Sequence, residues 1–256
     1  MHTSDVRSGA VYDGRELLWR IDHHTAPILI GFGLAMVFQT LLMVSAVRVA
    51  ARDRHISIPL FCTFFWFAHD LGCVVRFDTW FHTYDHWFMK CFWVGLLSAL
   101  LLEFVYFAQI LKYGRQEYAP SWTQAQFAAL IAAGAVVAVV AWEYFRSMMG
   151  DPLYFAGPAP TMVSYVVFGA ALYLRRRSAV GQSIVMWGSF TAMAVAWWVT
   201  VGLWFTAAFR SWQYIAMGAV CFLGGLAMTA RLTVDRRHSP AAAAARRSPE
   251  RVAVPS

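Results

Sequence analysis

Long apolar runs separated by short charged turns make up most of the chain. They extend from Ala26 to Val47, Ile56 to Val75, Cys91 to Leu111, Ala125 to Trp142, Ser183 to Phe205 and Trp212 to Leu232, with a shorter one from Thr161 to Leu174. Crossing a hydrocarbon layer of about 30 Å takes roughly 20 helical residues at about 1.5 Å each. Six runs are clear by that measure and the one from Thr161 is short. The pattern predicts an all-α polytopic membrane protein, a seven-transmembrane-helix bundle. Residues 1–25 read as an extracytoplasmic N-terminal segment, 26–232 as the transmembrane domain and 233–256 as a disordered basic tail.

The basic residues orient this bundle. Arg48, Arg52 and Arg54, then Lys112 and Arg115, then Arg175, Arg176 and Arg177, then the Arg residues from Arg231 to Arg251 put fourteen of the 21 Lys and Arg on one side. The positive-inside rule places that side and the C-terminus in the cytoplasm and the N-terminus outside, the parity of an odd number of spans. The first 25 residues carry Asp5, Asp13, Arg15, Glu16 and Asp22 without an apolar run. No cleavable secretory signal is expected there, and the first long helix is expected to direct insertion. The tail after Asp235 has nothing to bury and is a candidate for contact with anionic lipid head groups.

Composition excludes an ordinary soluble domain: 59% of residues are hydrophobic, only 14% are charged and the mean hydropathy is +0.51, whereas about a quarter of a soluble domain is charged. The formal charge of +7 would suggest nucleic acid for a soluble protein. Here the arginines gather beyond the last apolar run and read as a topology signal, so the expected partner is the bilayer and no nucleic acid. Cys62, Cys73, Cys91 and Cys221 lie singly with no CxxC, as packing residues do; Cys73 and Cys91 flank one loop and are the candidate pair. No internal repeat is visible, which weakens a transporter built on inverted repeats. Oligomeric state is not legible.

Ionisable residues inside lipid cost a few kcal/mol each and mark candidate sites. His69 and Asp70 fall within the second run, with Trp66 one turn before Asp70 on the same face. A carboxyl beside an indole is poorly solvated, which suits a general acid, and equally suits a structural hydrogen-bonded Asp. Glu103 falls near the middle of the third run without a charged neighbour in sequence; it is a candidate partner for Asp70 or an interhelical hydrogen-bonding group. Glu143 closes the fourth run as a substrate-binding or interfacial residue. The loop from Arg76 to Trp87 is rich in His, Asp and rings and suits a cap over a cavity; the spacing of His82, Asp85 and His86 permits metal ligation, but no second cluster supports it.

Other chemistries lack their residues. Lys occurs only at Lys90 and Lys112, so no lysine in the last run forms a retinal Schiff base. His69 is the lone histidine within a span, which leaves bis-histidine haem without ligands. No DDxxD-type run binds a magnesium diphosphate and no DxDD acid is present. Neither cofactor nor metal is expected.

The arrangement resembles the small seven-helix transmembrane terpene cyclases of fungal meroterpenoid and indole-diterpene pathways and their bacterial relatives. The likeness covers most of the chain from the second helix onward. Pro59 is followed by His69-Asp70 where the family has a Trp-Glu pair. Glu103 lies nine residues before Lys112-Tyr113-Gly114-Arg115, as the family's Asp lies before its Lys-x-Gly-Arg. Met162-Val163-Ser164, Arg175-Arg176-Arg177-Ser178, Gly181-Gln182-Ser183 and Trp187 are similar to the corresponding family stretch. The last helix departs: Cys221-Phe222-Leu223-Gly224-Gly225-Leu226 stands where the family usually carries an acid. The resemblance implies a metal-independent, proton-initiated cyclisation of a lipophilic prenylated small molecule or its epoxide through carbocations. Asp70 would be the acid and Glu103 its partner, with Trp66, His69, Trp93, Glu143 and Trp187 as substrate-binding candidates and Trp197 and Trp198 as further rings. The alternatives are a non-catalytic membrane binding or accessory protein, or a small transporter, on the same bundle.

Overall fold

In a computed structural model of the chain, residues 11–238 are described, with side chains as far as residue 236. Among them every regular element is helical: α1 (Gly14–His23), α2 (Thr25–Asp53), α3 (Leu60–Val74), α4 (Trp87–Gln109), α5 (Arg115–Tyr118), α6 (Gln124–Met149), α7 (Pro158–Arg176), α8 (Ile184–Trp204) and α9 (Trp212–His238). A π-turn over Ile110–Gly114 carries α4 into α5, so Trp87–Tyr118 forms one rod. Thr25–Asp53, Trp87–Tyr118, Gln124–Met149, Ile184–Trp204 and Trp212–Arg236 are long and apolar enough to cross a membrane; α3 is apolar but shorter.

Local chemistry sets the boundaries. Thr123 and Gln126 form a capping box at the start of α6, and Gly150 ends that helix at φ 60°, donating back to Arg146 and Ser147, the left-handed close that glycine adopts without strain. Pro59 precedes α3 and Pro158 opens α7, where the missing N–H costs nothing. Ser183 caps α8 by accepting from the Met186 amide. The run expected from Thr161 to Leu174 is lengthened at its start by the turn that Pro158 opens and at its end by Arg175 and Arg176, giving the 19 residues of α7.

Two stretches differ from the sequence expectation. The N-terminal segment contains α1, whose Leu17, Leu18 and Ile21 are buried on one face; three apolar residues at helical spacing make a docking stripe too short to register as a run. The tail is helical as far as His238, six residues beyond the expected end of the last span. The rest of the tail lies outside the described residues.

Six helices close a ring in the order α2, α4, α3, α7, α9, α8 and back to α2, with α6 outside it against α3. Close approach depends on small residues. A Cβ on Gly31 of α2 would stand 1.8 Å from Thr200 Oγ1 of α8. Side chains also tie neighbours through backbone carbonyls: Tyr106 donates to Met43 O, Gln109 to Val47 O and Trp66 to Thr161 O. Outward surfaces are apolar, as at Val136, Val137 and Val140 of α6, a continuous face that water tolerates poorly.

Candidate functional site

Inside the ring lies a cavity lined by α2, α3, α4, α7 and α8. It is narrow, about 80 Å³, with about 720 Å³ of unoccupied space when its open mouth is included. Phe32, Phe92, Trp66 and Trp197 supply rings, and Met36, Met43, Met162 and Met193 supply flexible apolar walls. Met36, Gln39 and Trp66 are only half-buried; the other lining residues are buried.

At one end an aromatic stack packs around the cavity. Phe88, Phe155 and Phe205 pack around Phe32 at ring distances of 5.1, 6.1 and 5.7 Å. Trp80, from the loop between α3 and α4, stacks on the lining residue Phe92 at 6.0 Å. At the other end Tyr106 and Gln109 bridge α4 to α2 carbonyls.

Two carboxyls face this apolar space from different helices. Asp70 of α3 is 6% exposed, and its Oδ1 lies 2.6 Å from His69 Nδ1. Glu103 of α4 is 1% exposed, makes no hydrogen bond or ion pair among the described residues, and its Oε2 is wholly buried. Both line the same cavity. Burying a carboxyl without a partner costs several kcal/mol, so Glu103 does not stabilise the bundle. His69 presents its other nitrogen, Nε2, buried and without a partner; its ring lies edge-on to Trp142 at 5.2 Å.

Behind His69 the turn between α6 and α7 is organised by Asp151. Its carboxylate accepts the amides of Phe155, Ala156 and Gly157 at 2.9–3.1 Å and the Tyr12 hydroxyl. Burial and the adjacent Asp151 push the Tyr12 phenol well above its ordinary value, so it stays a neutral donor. This turn presses on the site: a Cβ on Gly157 would meet His69 Cδ2 at 2.8 Å and Trp142 Cζ2 at 2.9 Å.

Asp70, Glu103, Trp66, His69 and Trp197 therefore share one cavity. Trp93, Trp187, Trp198 and Glu143 do not line it. Trp93 donates to Val74 O and packs against Phe77 and Phe81. Trp187 donates to Gln182 and stacks on Tyr165 at 4.6 Å; Trp198 donates to Tyr214 O. Glu143 is held by Arg76, Arg146 and the Tyr154 hydroxyl, an ionic clamp joining α3, α6 and the following turn. His82, Asp85 and His86 part towards Asp78, Lys90 and Asp22 respectively. Cys73 is buried and Cys91 exposed, and both are free thiols.

The Gly224-Gly225 pair of α9 sits at a tight seam. A Cβ at Gly224 would stand 2.3 Å from Val166 Cγ1 of α7, and one at Gly225 would stand 2.4 Å from Thr191 Oγ1 of α8. No side chain fits at that seam, and α9 contributes nothing to the cavity lining. Gln39, Phe32 and Phe92 line the cavity without having been singled out in the sequence. A polar amide within an apolar run was the available signal for Gln39, whereas the two rings are indistinguishable from the other phenylalanines.

Compared with protein families, curated proteins and solved structures, the chain finds no match in any of the three. The chemistry of the site rests on its geometry: an apolar slot with rings on its walls and two carboxyls at different depths, one of them partnered by an imidazole.

Proposed function

We propose that the chain is an integral membrane protein of seven spans, α2, α3, α4, α6, α7, α8 and α9, and that its cavity performs a metal-independent, proton-initiated cyclisation of a prenylated small molecule. The observation that carries this reading is the pairing of an unpartnered buried Glu103 with the His69-bound Asp70 in one ring-lined apolar cavity. Carboxyls placed so unfavourably need a reason, and proton delivery to an otherwise unreactive hydrocarbon or epoxide is one.

Asp70 gives its proton to a terminal epoxide oxygen or alkene carbon. A hydrogen bond from His69 Nδ1 to Oδ1 stabilises the carboxylate left behind. Ring closure follows through carbocations, each sheltered by the faces of Trp66, Phe32, Phe92 and Trp197 at about 0.5–2 kcal/mol apiece. Loss of a proton back to the Asp70 carboxylate, with Glu103 in the same cavity to relay it, ends the sequence and restores the acid. The product is an isomer of the substrate, with no net redox change.

Membranes carrying the wild type, Asp70→Asn or Glu103→Gln are to be incubated with farnesylated and geranylgeranylated aromatic compounds, with and without terminal epoxides. Mass spectrometry then seeks products of unchanged mass. We expect an isomer from the wild type, a loss of at least about 10²-fold in Asp70→Asn and a smaller loss in Glu103→Gln, with all three proteins equally abundant and folded. A second reading, a non-catalytic prenyl-binding protein, draws on α9 contributing no acid to the cavity. Ligand-dependent stabilisation without any isomer would select it and sink the cyclase.

A further inference from the structure

At the basic end of the bundle, opposite the aromatic stack, the ends of α2, α7 and α9 and the turn leading into α8 surround an open recess of about 680 Å³. Arg52, Arg177, Arg231 and Arg236 line it, and among the described residues Asp235 is the one carboxylate in its lining. These arginines come from three helices far apart in sequence and are brought to one rim by the fold.

The cations are not equally committed. Arg52 is held by Asp53 through two hydrogen bonds. Arg231 reaches Asp235 at 3.3 Å and the Tyr173 hydroxyl at 2.8 Å. Arg177 ends α7 in the left-handed conformation at φ 49°, and its guanidinium has no hydrogen bond or ion pair among the described residues. A planar guanidinium fork matches two phosphate oxygens at once, with more directional hold than a point charge gives.

The remaining wall is apolar: Ile184 and Val185 of α8 and Leu232 of α9. Val185 is 57% exposed at the point where α8 enters its apolar length. Cations on the rim with an apolar wall beside them match a molecule whose anionic head continues into a hydrocarbon tail. A free phosphate would use only half of these features.

We propose that the recess binds the phosphate head group of an anionic amphiphile, with the Arg177 and Arg231 forks on its oxygens and its chain along Val185 and Leu232. The proposal rests on the membrane placement above but not on the cyclisation chemistry, and its test reads no turnover.

The full chain, purified in detergent, is exposed to phosphatidylglycerol or phosphatidylcholine, and retained lipid is counted by native mass spectrometry. Glycerol 3-phosphate and inorganic phosphate serve as soluble competitors. We expect phosphatidylglycerol to be retained about tenfold better than phosphatidylcholine. Arg177→Gln should remove most of that preference and Arg177→Lys should retain part of it. Thermal melting should be unchanged in both, since Arg177 has no side-chain partner to lose among the described residues. Arg54→Gln, in the separate basic recess formed with His55 and Lys112, should leave the preference intact. Equal retention of the two lipids, or an equal loss in Arg54→Gln and Arg177→Gln, would overturn the proposal in favour of diffuse surface attraction. Full competition by glycerol 3-phosphate at concentrations matching the lipid would assign the recess to soluble phosphate esters and overturn it as well.

Discussion

Asp70 and Glu103 could be found in the sequence because lipid makes carboxyls expensive, so each one within a span stands out against its neighbours. Residues whose meaning depends on a distant partner could not. Nothing near Glu143 in sequence points to Arg76, 67 residues away. Asp151 is the clearest case. It follows a helix-ending glycine as any turn residue does, yet it gathers three amides and the Tyr12 hydroxyl at the back of the site. Removing it leaves those buried donors unpaired, so Asp151→Ala should cost about 3 kcal/mol. Thermal unfolding in detergent measures this, and a loss below about 1 kcal/mol would mean that water replaces the carboxylate there.

At the scale of elements, apolar runs gave the long helices to within about two turns, the C-terminal ends of α2, α6 and α9 running six or seven residues past the expected bounds, because length and composition decide what fits a bilayer while polar residues carry a helix on beyond it. What they could not give is how the helices meet. In lipid there is no hydrophobic force between helices, so contact depends on small residues and shape. Gly31→Ala should therefore separate α2 from α8: its Cβ would overlap Thr200 Oγ1, which is itself tied to Ala196 O. We expect a loss of about 1–3 kcal/mol, with Gly33→Ala, where the new methyl meets open space, as the neutral control.

The short amphipathic α1 escaped notice for the opposite reason, being held by docking rather than by insertion. Asp22 near its end accepts from Trp87 Nε1 and lies 3.1 Å from His86 Nε2. These contacts, the Trp87 bond foremost, hold the Asp22 carboxyl below its ordinary range. A depressed carboxyl contributes stability that is fully present above the unfolded value, about 3.9, and is lost as pH falls through the folded value. The side chain is half exposed, so after screening the effect is about 0.5 kcal/mol or less. Melting temperature between pH 7 and pH 3 should fall slightly less in Asp22→Asn than in the wild type; an identical slope would show that the contact is too well hydrated to matter.

On the scale of the whole molecule, rings pack around one end of the cavity, and beyond the other end Tyr106 and Gln109 tie α4 to α2. The lining reaches the surface at Met36 and Gln39 of α2 and at Trp66 of α3, surfaces turned towards acyl chains in the proposed placement. A molecule entering there never arrives from water, so the quantity that governs its occupancy is mole fraction in the membrane. Each added methylene shifts that partition by about 0.8 kcal/mol, so longer prenyl chains would compete by enrichment in the bilayer before any contact with the protein. Turnover should accordingly fall when inert lipid is added at fixed total substrate, and stay level when the aqueous volume alone is increased. In kinetic terms the bilayer is then a two-dimensional reservoir, and dilution within its plane is the variable that sets the rate.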